Sequence, residues 1–196
     1  MRQAFICIFL ISQFSVWSQP GTYREEILYT DLKLALEHPL KVKRLSLSGK
    51  KLKKVPKEIF EFKNLVELDL GKNRIEKLPD EWGTFTKLED LNLSMNRLTE
   101  LPASLTQLKR LRKLDLRKNK IWKLPNDLGE LKKLEYLNLN GNPLFKLPDS
   151  IQYCNSLQYL DMRNTETSEG DKELIKSMLP GVNIFFSNGC NCGPNH

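Results

Sequence analysis

The sequence predicts an α/β solenoid in which short parallel strands stack along one side and loose helical turns return the chain along the other. Three observations predict this fold. An aliphatic triplet with the spacing L-x-x-L-x-L recurs every 23 residues. Apolar and polar residues alternate within the triplet, which is the period of a strand with one buried side. A unit of this length cannot bury its own apolar side, so successive units must stack into an arc with the strands on its concave face.

The repeats occupy residues 42–164 and include five complete units. These units are residues 42–64, 65–87, 88–110, 111–133 and 134–156, and a degenerate sixth begins at residue 157. In the second half of a unit an aliphatic residue precedes a proline, as at Val55-Pro56, and apolar residues then follow at a spacing of three. Because proline prevents a regular helix from starting there, we expect one or two loose helical turns in each return segment.

The ninth position of the unit forms an asparagine column. It is occupied by Asn73, Asn96, Asn119 and Asn142, and it departs from asparagine only in the end units, at Lys50 and Thr165. Where the strand turns away, backbone groups would be left unpaired inside the stack. An amide supplies both donors and an acceptor, so we expect the asparagine column to bridge neighbouring turns by hydrogen bonds.

Residues 1–18 have the pattern of a signal peptide. Arg2 precedes an apolar run from Ala4 to Ile11, and small residues surround a cleavage position after Ser18. The run is shorter than the roughly 20 apolar residues that a membrane span needs. The alternative is a buried N-terminal strand or helix. Export predicts a protein that is secreted, periplasmic or associated with the cell envelope, with no transmembrane span in the mature chain.

Residues 19–41 predict an N-terminal cap. Thr30 is the expected N-cap of a short amphipathic helix, and His38-Pro39 is its expected end. An open solenoid would otherwise expose the apolar edge of its first turn, so a helix placed there prevents end-to-end association.

Residues 165–186 predict a C-terminal cap made of a helix and a strand. A capping-box pattern at Ser168 precedes apolar residues at helical spacing, and the stretch from Val182 to Phe186 then predicts a last strand. Residues 187–196 have no apolar side chains to bury, and we expect a flexible tail.

The chain has no pattern of a reaction centre. It lacks a nucleophile elbow, a phosphate-binding glycine loop and a zinc-protease helix. Cys154 replaces an aliphatic core residue and is expected to be an inert buried thiol. Cys190, Cys192 and His196 lack a fourth ligand and a framework, so no metal site is predicted, although the two tail cysteines could oxidise or bridge to another molecule. We predict a protein that is not an enzyme and has no cofactor.

The outward strand positions are expected to bind a partner. They carry Lys113, Asp115, Arg117, Tyr136, Asn138, Tyr159, Asp161 and Arg163 in the C-terminal half of the solenoid. Tyrosine and arginine dominate the energetics of protein interfaces, so this half of the sheet is the predicted contact surface. The alternative is that Tyr136 and Tyr159 stabilise adjacent strands by packing alone.

Much of the net charge of +7 lies in two columns after the strands. We call these columns the basic edge, and they consist of Lys51, Arg74, Arg97 and Lys120 together with Lys54, Lys77, Lys123 and Lys146. Such an edge attracts anions through steering that salt weakens, or it serves only to keep the molecule soluble. Trp122 and Phe145 occupy one equivalent position of successive units outside the buried columns and form a second contact patch.

The repeat pattern L-x-x-L-x-L-x-x-N-x-L-x-x-L-P-x-x-I-x-x-L-x-x resembles that of leucine-rich-repeat proteins with 23-residue units, especially small exported spirochaetal members. The segment from Tyr29 to Val42 and the segment from Asp171 to Phe186 resemble those that flank the repeats in that family. The resemblance implies a curved, non-catalytic interaction protein outside the cytoplasm, with host molecules among its expected partners. It names no ligand.

The sequence therefore predicts an exported, monomeric protein–protein interaction module that binds on its concave face and does not bind nucleic acid. One alternative is a surface protein that uses the basic edge to bind acidic glycans, lipids or host matrix. The other is an intracellular leucine-rich-repeat scaffold, which requires residues 1–18 to be part of the folded structure.

Overall fold

The strands of the solenoid form one continuous parallel sheet. The computed structural model describes residues 27–187, so the predicted signal peptide and residues 188–196 of the predicted tail lie outside it. The eight strands of the described part are β1 (Leu28–Tyr29), β2 (Arg44–Ser46), β3 (Glu67–Asp69), β4 (Asp90–Asn92), β5 (Lys113–Asp115), β6 (Tyr136–Asn138), β7 (Tyr159–Met162) and β8 (Asn183–Phe186). Each strand pairs with its neighbours in sequence order. The predicted solenoid fold is confirmed.

The strand register follows the sequence repeat. Arg44 pairs with Glu67, and Glu67 pairs with Asp90, so equivalent residues of successive units lie side by side. The register changes only where the end strands join, because Tyr159 pairs with Asn183 in the C-terminal cap. Side chains that share a repeat position therefore form straight columns across the sheet.

The apolar core lies between the sheet and the return segments. Leucines of the triplet such as Leu88, Leu91 and Leu93 are completely buried. The return segments contain short 3₁₀ helices at Lys57–Glu61, Glu81–Thr84, Ala103–Gln107, Leu128–Glu130 and Asp149–Tyr153, as the spacing of three indicates. Cys154 is buried in this core, where burial raises the pKa of its thiol to about 11 and keeps it protonated.

The N-terminal cap differs from its prediction in two details. Helix α1 (Leu32–Leu36) begins after Asp31 rather than Thr30, because the Asp31 carboxylate accepts hydrogen bonds from the backbone N–H groups of Lys33 and Leu34 at 2.8 and 3.2 Å. Strand β1 was not predicted, since two residues are too short to show a strand period. A 3₁₀ helix at Pro39–Lys41 then leads into the first unit.

The C-terminal cap consists of helix α2 (Glu169–Met178) followed by β8. Ser168 is the N-cap and accepts a hydrogen bond from the backbone N–H of Asp171 at 3.1 Å. Ile175 and Leu179 are buried against the last unit. The cap therefore covers the apolar end of the stack, as expected of a terminal element.

The eighth residue of each unit adopts a left-handed backbone conformation, which the sequence pattern did not indicate. These residues are Gly49, Lys72, Met95, Lys118, Gly141 and Asn164, with φ between 54° and 72°. Glycine and asparagine adopt this conformation readily, whereas a lysine or methionine side chain strains it. Three successive units therefore hold strained residues at the same turn.

Candidate functional site

Three aromatic rings form a continuous row on the outward side of the last three strands. We call Tyr136, Tyr159 and Phe185 the aromatic row. The Tyr136 and Tyr159 rings stack with centroids 4.5 Å apart and planes 8° from parallel, because their strands pair in register. The Phe185 ring continues the row at 4.9 Å from Tyr159. Phe185 was missed in the sequence, although strand alternation in the C-terminal cap gives a weak signal for it.

The stacking determines which parts of the aromatic row remain available. Tyr136 and Tyr159 turn ring faces toward each other and are both half-buried. Asn138 donates a hydrogen bond to the Tyr136 hydroxyl at 3.1 Å, whereas the Tyr159 hydroxyl has no hydrogen-bond partner within residues 27–187. Partial burial raises the pKa of the Tyr136 phenol, so the Tyr136 hydroxyl stays protonated near neutral pH. The Tyr159 hydroxyl is therefore available to a partner.

An arginine–carboxylate pair lies beside the aromatic row. Arg163 donates hydrogen bonds to both carboxylate oxygens of Asp161, at 3.0 and 2.6 Å, and its guanidinium lies 5.9 Å from the centre of the Phe185 ring. Burial alone would raise the pKa of Asp161, but the hydrogen bonds and charge of Arg163 outweigh it and hold this pKa below its ordinary value. The carboxylate is therefore ionised and already paired.

In the second to sixth units, the fifth residue has a structural role that its outward position on the strand does not indicate. Its side-chain oxygen accepts a hydrogen bond from the backbone N–H two residues later, at 2.8–3.0 Å. The pairs are Asp69 with Gly71, Asn92 with Ser94, Asp115 with Arg117, Asn138 with Asn140, and Asp161 with Arg163. This contact turns the polar side chains back onto the chain at the end of each strand.

Two residues expected to be exposed contact positions are buried. Asp161 is 1% exposed and Asn138 is 4% exposed. The expectation that they present free polar groups to a partner is wrong, because their oxygens bind their own backbone. Of the predicted set, Tyr136 and Tyr159 remain half-buried, whereas Lys113, Arg117 and Arg163 are exposed.

The outward side of the sheet neutralises its own charges. We call it the strand face; it consists of the third, fifth and seventh residues of each unit. Arg44 lies 2.6 Å from Glu67 and Arg117 lies 3.3 Å from Asp115. Lys113 is 3.8 Å from Asp90, and burial together with neighbouring carboxylates raises the pKa of Asp90 to about 6 despite this lysine. The strand face therefore offers a partner little unpaired charge.

The basic edge has the opposite character. All eight of its side chains are exposed, and Arg97 alone among them has a carboxylate within 4 Å in the described part of the chain, namely Glu76 at 3.6 Å. The other seven cations have no carboxylate within 4 Å among residues 27–187. The basic edge therefore presents unpaired positive charge that can attract anions at long range.

The asparagine column separates the strand face from the basic edge. In each case the amide NH₂ donates to backbone carbonyls of its own and the preceding unit, and the amide oxygen accepts from a backbone N–H. Asn119, for example, donates to Leu93 and Leu116 at 3.0 and 2.9 Å and accepts from Leu98 at 3.1 Å. The side chain thus pairs three backbone groups that lie out of reach of one another.

The described residues also set limits on other kinds of site. No group of three or more histidine, cysteine, aspartate or glutamate side chains within residues 27–187 is arranged to hold a metal ion. In the same range, no helix has the length and apolar character needed to cross a membrane.

The chain matches the family model of the leucine rich repeat over residues 41–98, 63–121 and 109–166, which is more than half of its length. A leucine-rich-repeat protein of Leptospira interrogans has a similar solved structure, with 32% identity and a TM-score of 0.63 over 82% of this chain and 48% of that chain. This chain therefore spans about half the length of the Leptospira protein.

A second similar structure is the leucine-rich-repeat ectodomain of the plant membrane receptor kinase GASSHO1/SCHENGEN3 from Arabidopsis thaliana, in complex with Casparian strip integrity factor 2. It is 27% identical, with a TM-score of 0.58 over 65% of this chain and 16% of that one. No curated protein sequence matches significantly. The strand register, the asparagine column and the family match together show that the chain belongs to the leucine-rich-repeat family.

Proposed function

We propose that the chain is an exported, non-catalytic module that binds a protein partner on the strand face, with the aromatic row at the centre of the contact. The single observation that carries the proposal is the row itself, which joins three rings with the unpaired Tyr159 hydroxyl. Aromatic side chains that combine apolar area with a polar tip contribute strongly to interface energy. Because most charges on the strand face are paired, this face attracts charged ligands only weakly.

The similar structures support a binding role at a general level. The Arabidopsis ectodomain was solved in complex with another molecule, Casparian strip integrity factor 2. Export is supported by the sequence pattern of residues 1–18. The proposed partners include host proteins.

The test removes the aromatic row at two positions. We expect Tyr136→Ala/Tyr159→Ala to weaken capture of partners from envelope or host extracts at least ~10-fold, because loss of two central aromatic contacts typically removes more than 1.4 kcal/mol. Tyr153→Ala is the matched control, since Tyr153 is an exposed tyrosine on a 3₁₀ helix rather than on the strand face. Partner capture that survives the double substitution at full strength would show that another face binds.

A second candidate function is the binding of acidic glycans or other polyanions by the basic edge. Its seven unpaired cations favour this function. Binding of heparin should fall steeply between low and high salt because counterion release drives it, whereas a contact centred on the aromatic row should change modestly. Heparin affinity that does not change with salt would remove this candidate.

A further inference from the structure

Two aromatic side chains on the flank of the solenoid are exposed without a folding reason. Trp122 is 52% exposed and Phe145 is 54% exposed. They line a groove of about 340 Å³ together with Leu124, Leu147 and Pro148. Neither ring packs against another aromatic ring within residues 27–187. The two rings therefore share an apolar groove and are not stacked on another ring in the described residues.

The repeat itself shows that packing does not require an aromatic residue at this position. The equivalent residues of the three preceding units are Lys53, Glu76 and Thr99. Those units fold with polar side chains there, so folding of a unit does not require an apolar side chain at this position. Large apolar side chains at such a position mark a contact surface.

The walls of the groove carry charge of one sign. Lys123 and Lys146 belong to its lining, and the lining includes no acidic residue. Neither lysine has an ion-pair partner in the described part of the chain. Their long aliphatic stems can lie along apolar surface while the ammonium groups reach outward. Asn126 is the one lining residue with an uncharged polar side chain.

We propose that this groove docks the protein onto an anionic lipid bilayer. The Trp122 and Phe145 rings would enter the boundary between headgroups and acyl chains, and the two lysines would contact lipid phosphates. Indole rings favour this boundary, and adjacent lysines add attraction to anionic lipid. A protein ligand fits the groove less well, because protein interfaces need a hydrogen bond for every 100–200 Å² or so and the lining side chains supply few neutral polar groups. The proposal goes beyond the binding role of the strand face and does not depend on it.

The test measures partition of the full chain onto vesicles of phosphatidylcholine with and without roughly 30% phosphatidylglycerol, a content chosen to give a negative surface potential. We expect binding to the anionic vesicles that salt weakens. Trp122→Ser/Phe145→Ser should reduce the partition ~10-fold, and Lys123→Gln/Lys146→Gln should reduce it on anionic vesicles alone. Because the apolar run near the N-terminus can itself contact lipid, the comparison is made among variants of the same chain.

Matched controls lie on other surfaces of the solenoid. Tyr153→Ser removes an exposed aromatic side chain outside the groove, and Lys63→Gln/Lys133→Gln removes two exposed charges near the following strand. Both should leave the partition unchanged. Tyr136→Ala/Tyr159→Ala should also leave it unchanged, which separates this proposal from the proposed function of the strand face.

Tryptophan emission gives a second readout. In a Trp17→Phe background the remaining tryptophans are Trp82, which is completely buried, and Trp122. We expect the emission of Trp122 to shift to shorter wavelength and to be quenched by brominated lipid. An unchanged partition of the groove variants, or an emission that responds to a soluble acidic peptide and not to vesicles, would overturn the proposal.

Discussion

The strand face and the basic edge use the same charged residue types in opposite ways. On the strand face the basic side chains lie beside carboxylates, as Arg44 lies beside Glu67 and Arg163 beside Asp161, both at 2.6 Å. On the basic edge, seven of eight cations have no such partner in the described residues. The difference follows from repeat position, because the strand face carries both basic and acidic side chains, whereas Glu100 is the one acidic residue in the two columns of the basic edge within the five complete units.

This contrast indicates what each surface can recognise. A neutral face that carries stacked rings distinguishes partners by shape and short-range contacts. An unpaired basic edge attracts anions at a distance of several ångströms but selects weakly among them. Substitutions that remove a single polar group should therefore be costly on the strand face and at the asparagine column, and nearly neutral on the basic edge.

The largest expected effect comes from the asparagine column at the border of the two surfaces. Asn119→Ala leaves the backbone N–H of Leu98 and the carbonyls of Leu93 and Leu116 without their partner. Buried unpaired groups are expensive, so we expect the free energy of unfolding to fall by about 3 kcal/mol. Urea denaturation measures the loss. Asn155→Ala, at an exposed position, is the control, and an equal loss in both variants would contradict the role of the column.

A smaller loss is expected at the end of β7. Asp161→Ala removes the acceptor of the Arg163 backbone N–H and the partner of its guanidinium, and we expect a loss of about 2 kcal/mol. Asp161→Asn should lose less, because asparagine already fills the equivalent position at Asn138. Lys120→Ala on the basic edge should change stability by no more than ~0.5 kcal/mol. Thermal unfolding of the three variants compares the surfaces directly, and similar losses in all three would remove the contrast.

The stability of the protein should depend on pH through Asp90 on the strand face. Its pKa of about 6 in the folded state lies above the ordinary 3.8, so the folded state favours the protonated form. Stability from this group is complete below about pH 4 and is lost as the pH rises through about 6. Asp90→Asn should therefore stabilise the protein at pH 7 and have little effect at pH 3.5.

Exposure of Asp90 to solvent limits the gain in stability expected from Asp90→Asn. Because 43% of the Asp90 side chain is exposed, screening keeps the stabilisation at about 1 kcal/mol or less. Urea denaturation of the original protein and of the Asp90→Asn variant at pH 7 and pH 3.5 measures the difference in stability. Asp80→Asn serves as the exposed control, and a gain that persists unchanged at pH 3.5 would show that the carboxylate charge is not its cause.

The period of the leucines was sufficient to predict the solenoid, the strand columns and the burial of the core, because each follows from which side of the chain must leave water. The same alternation predicted that Asp161 and Asn138 are exposed, and this prediction was wrong. Their backbone points them outward, but neighbouring side chains bind them as well as the backbone. Arg163 pairs with the Asp161 carboxylate, and the Asn138 amide donates to the Tyr136 hydroxyl. Phe185 was missed for a related reason, since the repeat does not fix the register of the C-terminal cap.

The smallest expected effect tests backbone strain beside the basic edge. Lys118 has φ of 54°, a conformation in which glycine is not strained. Lys118→Gly should raise the free energy of unfolding by about 0.5 kcal/mol, because relief of strain exceeds the greater freedom of glycine in the unfolded chain. Lys120→Gly removes the same charge two residues away, where φ is not positive, and should lower the stability by a similar amount. Urea denaturation of both variants separates the two causes: opposite signs indicate backbone strain at the turn, whereas equal changes would indicate that charge on the edge alone controls stability there.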